Sequence, residues 1–132
     1  MKVLIVEDDF TSRKLLQNIL SPYGICDIAI DGKEAVEAWS MAWEEGVPYD
    51  LICMDIMMPN MDGHEALAAI RSLEREKGVT PSKDVKVIMT TALGDPKNVV
   101  QALYKEGALV YLVKPIGKQK LLEEVKRMGL IG

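Results

Sequence analysis

Five short β-rich runs alternate along the chain with longer segments of helical period, and this alternation constrains the fold more than any other feature. The runs are Lys2–Val6, Ile25–Ile30, Tyr49–Met54, Val85–Thr90 and Leu109–Val113. Four are nearly continuous in apolar residues, as strands covered on both faces should be. The second, Ile-Cys-Asp-Ile-Ala-Ile, carries Asp27 in its interior, which suits an edge strand open to solvent on one side. The expected fold class is α/β, a parallel sheet with crossover helices.

The intervening segments carry helix caps as well as helical spacing. Asp31 followed by Glu34 resembles a capping box, and Ala35, Ala38, Trp39, Ala42 and Trp43 form one apolar stripe, so the tryptophans read as core. Asp95-Pro96 reads as an N-cap and first helical residue, with Gly107 ending that helix before the fifth strand. Further helices are expected over Phe10–Leu20, Gly63–Lys77 and Lys118–Met128. His64, alone at a helix start, is expected at the surface, and the run Met57-Met58-Pro59-Asn60-Met61 is expected to pack as a loop.

A chain of 132 residues accommodates one domain, and no output domain is expected after Gly132. The net charge of −4 disfavours direct nucleic-acid binding, which needs cations to neutralise phosphates. Cys26 and Cys53 sit in apolar runs without metal-ligand spacing, which reads as buried free thiols. No apolar stretch approaches the roughly 20 residues of a membrane span, and Glu7 interrupts the N-terminal run too early for a signal peptide. A cytoplasmic location is expected, with no membrane partner.

In open α/β sheets, ligands bind beyond the carboxyl ends of the strands. The residues at those ends are Glu7-Asp8-Asp9, Asp31, Asp55, Thr90-Thr91-Ala92 and Lys114-Pro115. If the first and third strands are neighbours, Asp8, Asp9 and Asp55 meet at one rim. Clustered carboxylates repel unless a cation sits among them, and oxygen-only ligands suit Mg²⁺. With Thr91 and Lys114 nearby, the set suits phosphoryl transfer to a carboxylate nucleophile. Each acid also has a simpler use: Asp9 can cap the first helix, Asp31 the second, and an Asp after a strand is ordinary turn chemistry.

The chain resembles a response-regulator receiver domain of the CheY-like type across its whole length. The resemblance rests on Val3-Leu4-Ile5-Val6-Glu7-Asp8-Asp9, on Met54-Asp55-Ile56-Met57-Met58-Pro59-Asn60-Met61-Asp62-Gly63, on Thr91-Ala92 and on Lys114-Pro115. It implies a flavodoxin-like, five-stranded parallel sheet of order 2-1-3-4-5 with helices on both faces, filling residues 1–132. It also implies that Asp55 accepts a phosphoryl group from a histidine kinase or histidine phosphotransfer protein. The implied Mg²⁺ ligands are Asp8, Asp9, Asp55 and the backbone carbonyl of Met57. Thr91 resembles the switch hydroxyl, because the small Ala92 follows it, whereas Thr90 ends the strand. Tyr111 resembles the aromatic switch residue and Lys114 the phosphate partner, followed by a cis bond to Pro115.

The implied protein is a phosphoacceptor switch rather than an enzyme, acting on a downstream protein as a monomer or a phosphorylation-dependent dimer. Its output surface would comprise the helix expected between the last two strands, the fifth strand and the C-terminal helix, where Lys105, Glu106 and Lys118 also suit a solvated face. Met57 and Leu93 are apolar where many family members carry polar groups, implying slow self-dephosphorylation. The alternatives are a phosphorylation-independent scaffold and an aspartyl-nucleophile phosphatase, although Asp55-Ile56-Met57 lacks the phosphatase D-x-D pattern.

Overall fold

The computed structural model describes residues 1–92 and 110–132. The strands are β1 (Lys2–Val6), β2 (Ile25–Ala29), β3 (Leu51–Asp55), β4 (Lys86–Thr91) and β5 (Val110–Val113). The helices are α1 (Phe10–Leu20), α2 (Gly32–Glu44), α3 (Gly63–Glu76) and α4 (Lys118–Arg127), with a 3₁₀ turn at Ser21–Tyr23. All strand pairs are parallel, in the order β2-β1-β3-β4-β5. The expected helix from Asp95 to Gly107, together with Leu93, Lys105, Glu106 and Leu109, lies outside the described residues.

Strand alternation divides the interior into two cores. Leu4, Val6, Ile52, Met54, Val87 and Met89 face Trp39 and Ala42 of α2 and Ala66, Leu67 and Ile70 of α3. Val3, Ile5, Leu51, Cys53, Ile88 and Leu112 face Leu16, Ile19 and Leu20 of α1 and Leu121 and Val125 of α4. Every residue of β3 is buried, because β3 is central and covered on both sides. Trp39 is buried and stacks on the half-buried Trp43 at 5.7 Å between ring centroids, consistent with the apolar stripe on α2.

Side-chain hydrogen bonds accompany several shifts of element boundaries. Asp50, expected within the third strand, precedes β3; its backbone still bonds Lys2 O and the Lys86 N–H, while its Oδ2 accepts the Lys2 N–H at 2.8 Å. Val85 lies before β4 because its N–H donates to Glu74 Oε2 at 2.8 Å. Ile30 leaves β2 because its N–H donates to Glu34 Oε1 at 2.9 Å. Glu34 thus reaches one residue beyond the N-cap, while its own N–H bonds Asp31 Oδ1 at 2.9 Å. Asp62 and Glu65 form a reciprocal capping box at α3.

The edge position of β2 agrees with Asp27 at its centre, whose Oδ2 accepts from Tyr49 Oη at 2.7 Å. His64 departs from its expected surface location: it is buried. The first turn of α3 is drawn onto the strand ends, because Gly63 lies where a Cβ would come within 2.5 Å of Asp55 O. His64 follows it into the packing.

Both cysteines are free thiols, but only Cys53 is fully enclosed; Cys26 is half-buried on the edge strand. Burial pushes the Cys53 thiol up to about 12, and burial with the neighbouring Asp27 also raises Cys26. At pH 8 a thiol-specific disulfide reagent is therefore expected to label Cys26 slowly and Cys53 only on unfolding. Labelling both at one rate in native buffer would contradict this difference in enclosure.

Candidate functional site

β1, β3 and β5 deliver the charged groups to one end of the sheet. Glu7 continues the β1 ladder, its N–H donating to Ala29 O at 3.0 Å. Strand alternation places it on the same face as Val3 and Ile5. Asp55 ends β3 on that face, and Lys114 follows β5 with the same parity as Leu112. Glu7, Asp8 and Asp55 each offer a carboxylate oxygen, and these atoms lie within 4.8 Å of one another. Lys114 Nζ forms a short ion pair with Glu7 Oε1 and lies 3.5 Å from Asp55 Oδ1.

Asp9 has a different place. It caps α1, with its Oδ2 accepting the Ser12 N–H at 2.8 Å, and its carboxylate is outside the close group. Hydrogen bonding from Ser12 holds its pKa below the usual range despite full exposure. The close group therefore comprises Glu7, Asp8 and Asp55, with Asp9 adjoining it in the turn that starts α1. The chain still follows strand geometry at Glu7, and has turned into the helix by Asp9. Glu7 is identifiable from the parity of Val3, Ile5 and Glu7.

The electrostatics mark this cluster as incomplete by itself. Burial and the neighbouring Asp55 carboxylate push Glu7 up to about 7, with Lys114 opposing them. Burial lowers the Lys114 pKa, but its bonds to Glu7 and its attraction to Asp55 prevail, leaving it above the ordinary value. Glu7 Oε2 is buried without a hydrogen-bond partner among the described residues. A bound proton or a cation relieves the repulsion between Glu7 and Asp55. With its proton bound, Glu7 contributes less to stability as pH rises from 4.5 to about 7, because folding raises its pKa. A hard cation fits the same oxygen donors.

The threonines occupy opposite faces. Thr90 pairs in register with Asp55 and shares its face, and its buried Oγ1 has no hydrogen-bond partner among the described residues. Thr91 is buried at the end of β4, with the parity of Met89, while its carbonyl accepts the Lys114 N–H at 2.6 Å. Tyr111 is half-buried against the core containing Met89, so Thr91 and Tyr111 share a face. Ala92 is exposed immediately beyond the strand. The Lys114-Pro115 bond is cis, as the resemblance implies. Met58 and Met61 pack against the core, whereas Met57 is 71% exposed beside the site.

A family model for the response regulator receiver domain matches residues 3–126. The chain belongs to this family. It is 39% identical over 126 residues to the chemotaxis protein CheY of Treponema pallidum, covering 94% of this chain and 79% of that protein. Identity to Listeria monocytogenes CheY is 36% over 129 residues, covering 96% of this chain and 97% of its relative. Among solved structures, the CheX–CheY–BeF3–Mg²⁺ complex of Borrelia burgdorferi contains a similar chain, with a TM-score of 0.83 and 32% identity. The match covers 98% of this chain and 89% of that one. Among the described residues of this receiver domain, no helix is long and apolar enough to cross a membrane.

The neighbouring acids differ in what they do for the fold. Asp9→Ala should cost about 1 kcal/mol of stability through the lost cap. Asp8→Asn should leave stability unchanged or raise it, because it removes one of three mutually repelling carboxylates. Urea unfolding of both variants checks the difference.

Proposed function

We propose that this receiver domain acts as a phosphoacceptor switch, with Asp55 as the acceptor and Mg²⁺ as cofactor. The observation carrying this reading is the convergence of Glu7, Asp8, Asp55 and Lys114, with an orphaned carboxylate oxygen at its centre. Asp8, Asp9 and Asp55 would hold the cation, directly or through water, with the Met57 carbonyl as a further ligand and Glu7 adjoining them. Mg²⁺ would neutralise charge on the transferring phosphoryl oxygens. The cap bond to Ser12 uses only Oδ2 of Asp9, whose carboxylate has a second oxygen for the cation.

In the transfer step, an Asp55 carboxylate oxygen bonds to phosphorus as the P–N bond of a partner phosphohistidine breaks, and the departing imidazole takes a proton. Lys114 lies near enough to Asp55 to meet the charge brought to it. The phosphoryl group adds a charge of about −1.5 to −2 at pH 7. Thr91 is drawn toward it, freeing space for Tyr111 on the same face. Tyr111 pairs in register with Met89 on β4 and is thus positioned to couple the strand end to β5. The output surface includes β5 and α4, while the helix expected before β5 lies outside the described residues.

Similarity along nearly the whole of Listeria CheY supports a CheY-like regulator, and a histidine-kinase donor would place its action in the cytoplasm. Its donor would be a histidine kinase or phosphotransfer protein and its target another protein, with a monomer or phosphorylation-dependent dimer as the acting form. Incubation with acetyl phosphate and Mg²⁺ should produce a mass gain of one phosphoryl group that Asp55→Asn abolishes. Absence of both this gain and beryllofluoride binding would overturn the reading. On switching, hydrogen exchange should change across residues 92–118.

The exposed Met57 thioether has no strong hydrogen-bonding group with which to hold an attacking water near Asp55. Phosphate loss should therefore be slow, and Met57→Asn should accelerate it about tenfold, within the range for positioning a reactant. The decay of phosphoprotein mass after removal of the donor measures both rates.

A further inference from the structure

The chain from Ile56 to Asp62 joins the proposed phosphoacceptor to α3, and its base is held close to Asp55. Ile56 N–H donates to Thr90 O at 2.9 Å, while Gly63 N–H donates to Ile56 O at 2.9 Å. Gly63 lies so close that a Cβ would meet Asp55 O at 2.5 Å and Met89 Cε at 2.8 Å. The other end of this loop is tied to a different part of the fold. Asn60 Nδ2 donates to Asp31 Oδ2 at 2.8 Å, and Gly32 N–H donates to Met61 O at 3.0 Å.

This contact has features beyond those of an ordinary cap. Asp31 is buried and uses separate oxygens for its two partners: Oδ1 accepts the Glu34 N–H, and Oδ2 accepts Asn60. Asn60 has φ of 67°, a left-handed conformation that is costly for most side chains and best tolerated by Gly, Asn and Asp. Gly32 permits the close approach, since a Cβ there would lie 2.4 Å from Met61 O. The loop adjoining Asp55 is therefore held at its base by β4 and at its far end by the start of α2.

We propose that Asp31 is a positioning residue, acting through Asn60 to hold the Asp55–Asp62 loop in the geometry that binds Mg²⁺. This deepens the phosphoacceptor reading and rests on it for the Mg²⁺ site. Asp31 touches neither the carboxylate cluster nor the transferred group. Its effect passes through the loop, in the way that outer hydrogen bonds orient metal ligands.

Substitutions can separate this bond from helix capping. Asp31→Ser retains an oxygen for the Glu34 N–H but is too short, with a single hydroxyl, to reach Asn60, so the cap remains and the Asn60 bond is lost. Asn60→Gly keeps the charge of Asp31 and permits the positive φ while removing the same bond. Combining Asp31→Asn with Asn60→Asp exchanges donor and acceptor and restores both the bond and the wild-type charge.

Calorimetric Mg²⁺ titration of the full chain should show about tenfold weaker binding for Asp31→Ser and Asn60→Gly. The exchanged pair should lie within about twofold of wild type, as expected for a direct coupling. A purely structural cap would leave Mg²⁺ affinity unchanged in Asp31→Ser. That result, or failure of the exchanged pair to match wild type, would overturn the proposal. If Asp31→Ser does not fold by circular dichroism, Asn60→Gly decides the outcome by the same affinity criterion. Parallel acetyl phosphate labelling separates the two readings. Wild-type protein that binds Mg²⁺ but accepts no phosphoryl group overturns the function while the latch is judged on Mg²⁺ affinity; wild-type protein that binds no Mg²⁺ overturns the latch as well.

Discussion

Mutual repulsion among Glu7, Asp8 and Asp55, countered by a single ammonium from Lys114, is the interaction around which the carboxyl end of this domain is organised. Among the described residues, three carboxylates and one ammonium leave net negative charge beside the buried Glu7 and Asp55, where charge is most costly. The Glu7 carboxyl near 7 and its orphaned oxygen express that imbalance. A site built in this way favours a divalent cation, as the proposed function requires. Lys114 alone does not neutralise the three acids.

The scaffold sustains this concentration of charge because its strands are covered on both faces. β1 and β3 are adjacent and buried, and their parallel direction carries Glu7 and Asp55 to the same edge. Glycines then close the connections at short range: Gly63 against the Asp55 carbonyl and Gly32 against the Met61 carbonyl. These contacts bring the loops of neighbouring βα units together at the rim. The Asp31–Asn60 bond belongs to the same system, binding one unit's helix start to the next unit's loop.

Much of the architecture was legible in the chain. The Lys2–Val6 strand and the Phe10–Leu20 helix were placed to the residue, since an apolar run and a capped helical stripe leave little choice there. Asp55, Lys114 and the receiver-domain motifs were equally visible. Boundary differences arose where a distant side chain claimed a backbone group, as Glu74 does at Val85. His64 was misplaced for a related reason: its exposure depended on how closely Gly63 approached the strand ends.

The sequence by itself determined the alternating strands and helices, the residues at the strand ends and the family to which they belong, because hydrophobic period, caps and motifs are local or ordered along the chain. Only the tertiary structure decided which acids meet. Asp8 and Asp9 are adjacent in sequence, yet the turn from β1 into α1 leaves Asp9 on Ser12, while strand parity brings Glu7 to Lys114 and Asp55. The same holds for Asp31, whose capping role is local but whose bond to Asn60 spans 29 residues. Such partnerships depend on packing two separate chain segments side by side, information that no short stretch of sequence contains.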